Sequence, residues 1–411
     1  GYNKTGICTQ KDGTMKNKTI LYLALCLVLL PGIALSRMDS WPLSIDEIIF
    51  SQGMVNSFDL ASLSGGQAVL AFGDNADRRG KFAVYGGDGV ALVGETPFAI
   101  GHVDNISVSG LVNGNFLIAY TRDGAGRFVI YSHQGVRVKS EAMFKASGLG
   151  MLDTSVLENG NMIAVYRDNR DYCGKYIIFD INGETICDET LFHPGMIGSV
   201  SVTPLLNGNA MITYWDGPGD RGAFVICDGT GNRVTGPAAF IPKDIGGPHA
   251  LTLADGNVMV TYTDRTYPYS GYFIILDPNG SVIRDETGLD LSGSVDRIGS
   301  TLVSNHGVLV SFRQARGPDN WGAFIMMDPA GGQVRERTLF YSGVINNRPP
   351  VTLSNENVMV PFWEGASPWF GKISHIMDPG RNPWDLDRDG DVDGEDLFLL
   401  LQGGGPDPEA I

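Results

Sequence analysis

Residues 205–214 read LLNGNAMITY, and four other stretches repeat the pattern: LVNGNFLIAY (111–120), LENGNMIAVY (157–166), LADGNVMVTY (253–262) and LSNENVMVPF (353–362). Two weaker copies, LSGGQAVLAF (63–72) and VSNHGVLVSF (303–312), complete a set of seven. The aromatic residues that close them are Phe72, Tyr120, Tyr166, Tyr214, Tyr262, Phe312 and Phe362, at intervals of 48, 46, 48, 48, 50 and 50 residues. Self-similarity at one period of this length marks a repeat architecture, in which each unit buries its apolar face against its neighbours.

Working outward from 205–214, the unit resolves into four strands. Ser199–Leu205 reads as strand a, Ala210–Trp215 as b, Ala223–Asp228 as c and Asn232–Phe240 as d. Asn207-Gly208 between a and b predicts a two-residue hairpin, because both residue types tolerate positive φ. The c–d turn has its own signature in Asp277-Pro-Asn-Gly280, Asp328-Pro-Ala-Gly331 and Asp180-Ile-Asn-Gly183. There Pro presets φ at the first central position and Gly supplies the left-handed one. Four antiparallel strands repeated seven times at this spacing predict an all-β fold, a seven-bladed β-propeller over residues 44–380. The seventh unit stops at its third strand, Ile373–Met377. Its missing fourth strand is expected at the other end, where Asp46-Glu-Ile-Ile-Phe50 matches the strand-d pattern of Glu95–Phe98, Glu141–Phe144 and Glu189–Phe192.

Composition agrees with such a ring. Gly accounts for 55 of 411 residues, about twice the ordinary share of ~7%, as repeated tight turns require. Charged residues are only 18%, as strands buried between blades require. The net charge of −16 excludes nucleic acid as a partner, since phosphate binding needs a basic surface. It leaves divalent cations, neutral sugars and proteins.

Residues 1–14 read as sequence upstream of a true start at Met15. Residues 15–36 read as a secretory signal peptide: Lys16 and Lys18, the apolar run Ile20–Leu30, then Ala34-Leu-Ser36 as the cleavage site. The run is shorter than the ~20 residues a membrane span needs, so no span is expected after cleavage and the protein is expected to be secreted. Cleavage would delete four Lys and one Asp, leaving the remainder three charges more acidic. Cys173, Cys187 and Cys227 would remain. An odd number makes no complete disulfide framework, so they read as small buried side chains, with a Cys173–Cys187 bridge as the alternative.

Past the last blade runs Asp385-Leu-Asp387-Arg-Asp389-Gly-Asp391-Val-Asp393-Gly-Glu-Asp396, followed by the apolar Leu397–Leu401. As a 12-residue loop it places side-chain oxygens at positions 1, 3 and 5 and Gly at 6 for the sharp turn. Asp391 offers a carbonyl at 7, Asp393 stands at 9 and Asp396 at 12. Seven carboxylates and one Arg in twelve residues repel one another unless a hard cation sits among them. Calcium is therefore the expected cofactor. With Asp at position 12, the stretch 383–402 resembles the dockerin type of EF-hand-like loop. The resemblance implies Asp385, Asp387, Asp389 and Asp396 as side-chain ligands, with Asp393 acting directly or through water. It also implies an exported bacterial protein associated with polysaccharide or cell-surface assemblies. Dockerins carry two such units and this chain one, so calcium binding carries over more fully than docking to a cohesin-like partner. Residues 403–411 read as a disordered tail.

Two rings of polar positions follow from the repeat. Ten residues before each turn lie Asn56, Asp104, Asp296 and Asn346, with Gly198 and Gly246 in two other blades. These sit nearest the ring axis and form the candidate ligand funnel. Two residues past the strand-b aromatic lie Asp74, Asp168, Asp216, Asp264 and Glu364, with Arg122 and Gln314 in the remaining blades. A position so regular reads as turn capping. The b–c loops carry Tyr172, Trp215, Tyr267, Tyr269, Trp321, Trp363 and Trp369, whose rings can stack on sugars; Trp215 and Trp363, at strand ends, also suit packing between blades. No nucleophile elbow, His-Glu-x-x-His or phosphate loop is present, and His306 merely replaces a turn Gly. The catalytic residues stay unknown. The expected function is a secreted calcium-binding propeller that binds polysaccharide or a cell-surface protein. The alternative is a polysaccharide lyase or glycoside hydrolase using funnel acids such as Asp104 and Asp296.

Overall fold

The structure is a computed structural model that describes residues 44–289, 294–303, 307–316, 319–365 and 370–377. The stretches read from the sequence as an upstream segment, a signal peptide, a calcium loop (383–402) and a C-terminal tail, with His306 and Trp369, lie outside the described residues.

The described strands form seven antiparallel sheets, one per repeat. Blade 4 comprises Ile197–Pro204, Ala210–Asp216, Arg221–Cys227 and Arg233–Ile241, within two residues of the strands read from the sequence at each end. Strand a of every blade packs against strand a of the next, and blade 7 returns to blade 1. The ring is closed, and its inner wall is made of a strands. Blade 7 takes its outermost strand from the start of the propeller: Ser44–Ser51 pairs with Gly371–Met377, with Ser44 opposite Met377 and Ile48 opposite Ile373.

Strand b is apolar on both faces because each blade is sandwiched by two others. All seven residues of Ala68–Asp74 are buried; Leu70 packs with blade 7, whereas Val69 and Ala71 pack with blade 2. Seven apolar clusters result, each spanning two adjacent blades. The first Gly of strand c is required by close approach. In blade 4 a Cβ on Gly222 would fall 2.5 Å from Phe240 Cζ on strand d. Phe50 covers Gly371 in the same way, so the N-terminal strand fits the last blade side chain by side chain.

The a–b turn differs in one respect from expectation. In 205–208 only Gly208 has positive φ (83°), and its N–H donates to Leu205 O at 3.0 Å. Asn207 stays right-handed. This is a type I turn followed by a glycine bulge rather than a two-residue loop with both residues left-handed. A left-handed Asn costs more than a left-handed Gly, so the extra loop residue puts the demand on Gly alone. The three cysteines are free thiols. Among the described residues no helix is long and apolar enough to cross a membrane.

Candidate functional site

The two ends of the channel differ in chemistry. At the a–b turn end a cavity of about 570 Å³ is lined by Leu63, Leu111, Leu157, Leu205 and Leu253 with flanking turn residues. At the opposite end, where the d–a connections enter and the b–c loops gather, the channel mouth is polar.

Strand a is distorted at this mouth. Its register with strand b shifts between Asp104 and Ser107, Gly150 and Leu152, Gly246 and His249, and Asp296 and Gly299. Such bulges re-aim side chains at the rim of a sheet. Asn105, Met151 and Arg297 sit inside them with φ of 46°, 39° and 55°, left-handed values that side-chain-bearing residues adopt only when their surroundings hold them there.

Of the four funnel residues expected, the fold joins two. Asn56 Nδ2 donates to Asp104 Oδ1 at 2.5 Å and to Val103 O at 2.8 Å. His102, in the turn before strand a of blade 2, places Nδ1 3.0 Å from Asp104 Oδ2 and Nε2 3.3 Å from Asn56 Nδ2. Asn56 Nδ2 thus faces three groups with two hydrogens, Val103 O, Asp104 Oδ1 and His102 Nε2, of which His102 Nε2 is the most distant. Asp296 is held elsewhere: both its oxygens accept from Arg313, Oδ1 from Nε at 2.6 Å and Oδ2 from Nη2. Asn346 lies half-buried in the short strand Ile345–Asn347, in register with Trp363. Asp104 and Asp296 are thus each held by a basic neighbour, His102 and Arg313. Among the described residues no three metal-binding side chains are grouped to hold an ion.

Deeper in the channel lies a ring that the sequence reading passed over. Asp59, Ser107, Asp153, Ser201 and His249 occupy one repeat position, and each accepts a backbone N–H from strand a of the next blade. Val108 N donates to Asp59 Oδ2 at 2.9 Å, Thr154 N to Ser107 Oγ at 3.0 Å and Val202 N to Asp153 Oδ2 at 2.8 Å. Ala250 N donates to Ser201 Oγ at 3.4 Å and Ser300 N to His249 Nδ1 at 3.3 Å. These bonds stitch six blades together from inside. At the next junction a Cβ on Gly299 would lie 2.5 Å from Pro349 Cα, so backbone packing replaces the hydrogen bond. Burial pushes the Asp59 carboxyl up against the pull of Arg348, and burial together with the Asp59 charge pushes Asp153 up to about 7. Burial likewise pulls His249 down to about 4, so its ring stays neutral and Nδ1 can accept. The signal was available: these five acceptors follow the spacing of the repeat itself.

The ring at the end of strand b is architectural, as its regularity suggested. Asp74, Asp168 and Asp264 accept backbone N–H groups two residues on, at 2.8, 3.1 and 2.8 Å, and their second oxygens take Lys81, Lys145 and Lys243. In blade 3 the pairing is dense. Lys145, 5% exposed, and Lys175 both reach fully buried Asp168 Oδ2, at 2.7 and 2.8 Å. Arg170, Lys145 and Lys175 hold the Asp168 carboxyl far below the usual carboxylate range.

The loop aromatics divide into two groups. Trp215 and Trp363 pack against inter-blade clusters, and Arg265 lies 4.8 Å over the Trp215 ring. Trp321 is covered by Arg337 at 5.7 Å. Tyr172, Tyr267 and Tyr269 are exposed, and Tyr267, at 82%, stands edge-on to Tyr269 with ring centroids 6.0 Å apart.

No family model and no curated protein matches the chain. Among solved structures it is similar to an ulvan lyase of polysaccharide lyase family PL25, at TM-score 0.56 and 10% identity, over 80% of this chain and 95% of that one. The same values hold for that lyase bound to -[GlcA(1-4)Rha3S]-. The Dos1 propeller matches at TM-score 0.50 and 11% identity, over 81% and 95%. At such identities the likeness establishes the architecture: the chain is a seven-bladed β-propeller.

Proposed function

We propose that the chain is an exported polysaccharide-binding propeller whose ligand lies across the polar channel mouth. The observation that carries this reading is the exposed Tyr267–Tyr269 pair on the same face as the Asn56–His102–Asp104 cluster. Exposed tyrosine rings stack on the C–H faces of sugars, and carboxylate, amide and imidazole groups bond their hydroxyls. The test is affinity electrophoresis of the full chain across a panel of polysaccharides. Tyr267→Ala combined with Tyr269→Ala is expected to weaken binding at least tenfold with an unchanged melting temperature. Unaltered retardation would remove the mouth from consideration.

One contact favours a second, enzymatic reading. A carboxylate on His102 Nδ1 fixes the tautomer and leaves Nε2 as a base, the arrangement needed to remove a proton next to a uronate carboxyl and eliminate the 4-linked sugar. The unsaturated product absorbs in the ultraviolet. Its release by the parent and its loss in His102→Ala would establish a lyase; binding without product would leave a binding module. The calcium loop at Asp385–Asp396 belongs to the proposal on the strength of its ligand spacing, and calorimetric titration of the full chain with calcium, against Asp385→Ala, tests it. A cohesin-like or other cell-surface protein partner would be sought by pull-down with and without calcium.

A further inference from the structure

The mouth is charged unevenly, and its basic side is unclaimed. Arg297 stands in the bulge of strand a of blade 6, its carbonyl accepting from Asn347 Nδ2 at 2.9 Å. Arg348 follows Asn347 directly, where Pro349 and Pro350 interrupt strand a of blade 7 and Pro349 packs on Gly299. These contacts fix the two blades against each other and bring the two arginines within range of each other's charge. Both side chains are exposed.

Several arginines elsewhere in the molecule are neutralised by carboxylates. Arg122 and Arg127 pair with Glu141, Arg170 with Asp168, Arg221 with Asp216, and Arg313 with Asp296. Among the described residues neither Arg297 nor Arg348 forms an ion pair; Asp296, whose two oxygens Arg313 holds, acts on Arg297 through space, and Arg348 acts on the buried Asp59 and Asp153. In a chain of net charge −16, two neighbouring guanidiniums with no carboxylate in contact repel each other, and the left-handed Arg297 backbone adds strain. A bound anion would relieve the repulsion, and guanidinium forks suit the paired oxygens of carboxylate and sulfate.

We propose that Arg297 and Arg348 form an anion subsite in the mouth, so that the polysaccharide it takes is an acidic one, bearing uronate carboxylates or sulfate esters. This rests on the polysaccharide reading above and narrows it. The anion sits on blades 6 and 7, and the uncharged part of the chain runs toward Tyr267 and Tyr269 on blade 5.

The experiment compares the full-length protein with three polymers at low and high salt: polygalacturonate, dextran sulfate and uncharged dextran. Expected is at least tenfold tighter binding to an acidic polymer than to dextran, an advantage that shrinks with salt. Arg297→Gln with Arg348→Gln should abolish that advantage, and Arg348→Lys should keep part of it. Polygalacturonate and dextran sulfate distinguish carboxylate from sulfate. Equal affinity for acidic and uncharged polymers, or a preference that survives in the double variant, would overturn the subsite. Dextran binding lost in Tyr267→Ala without any acidic preference would spare the polysaccharide reading while ending this one. Salt-sensitive binding lost in the arginine variants but indifferent to Tyr267→Ala would do the reverse. Should the double variant melt early, Arg348→Gln alone decides by the same comparison.

Discussion

The ring at the end of strand b and the ring at the channel mouth are both polar, both repeat-derived, and behave as opposites. At the end of strand b four of the seven blades solve the same problem alike: a carboxylate caps the loop and accepts a lysine or arginine. At the mouth the equivalent position holds Asn56, Asp104, Gly150, Gly198, Gly246, Asp296 and Asn346, and each blade does something different with it. Repeated pairing belongs to what the copies share, the need to hold a blade together. Divergence belongs to what one asymmetric ligand would require.

That contrast can be broken most forcefully at Asp168. Asp168→Ala would leave Lys145 and Lys175 without their buried counter-ion, at an expected cost of about 3–5 kcal/mol. Chemical denaturation should show this, with polysaccharide binding unaffected wherever the protein remains folded. A loss below about 1 kcal/mol would show that the ring at strand b is dispensable.

Asp153, in the inner belt, comes next. Its carboxyl titrates near 7 when folded and near 3.8 when unfolded, so the unfolded chain gives up its proton first as pH rises. Stability is therefore lost progressively between those values and levels off above the higher one. Asp153→Asn keeps an acceptor for Val202 N–H and removes the titration. It should match the parent near pH 4 and exceed it by roughly 2–4 kcal/mol at pH 8. Parallel pH profiles would refute the assignment.

Glu356 tests the opposite end of the channel. It holds φ of 64° in the a–b turn where Gly66, Gly114, Gly160, Gly208 and Gly256 serve in other blades. Glu356→Gly is expected to stabilise by about 1 kcal/mol, visible as a higher melting temperature. The smallest stability effect belongs to the mouth. Asp104 is half-buried, and its contacts to Asn56 and His102 lie at the rim, so Asp104→Ala should shift stability by no more than ~0.5 kcal/mol while weakening ligand capture. Loss of stability with intact binding would reverse the roles of the two rings.

The ring itself was legible because the repeat writes its strands seven times, and because Asp46–Phe50 completes at one end what Ile373–Met377 lacks at the other. The turn type was misjudged since Asn-Gly suits two geometries, and only the loop length distinguishes them. The inner belt was visible as spacing, yet Ser107, Ser201 and His249 look ordinary within a strand until the neighbouring blade presents its N–H. Convergence at the mouth was beyond the sequence. Arg313 lies 17 residues from the Asp296 it neutralises, and Arg297 comes within range of the Arg348 charge only because blades 6 and 7 pack together.

Strand Ser44–Ser51 has a temporal consequence as well as a geometric one. Its partner Gly371–Met377 is the last described strand, so the first described strand of the propeller pairs with the last. A contact across so much chain is slow to form, and until it forms blades 1 and 7 expose edges that invite pairing with other molecules. The propeller therefore has a late, single locking step. Ser44–Ser51 supplied separately as a peptide should compete for that step, trapping an open ring.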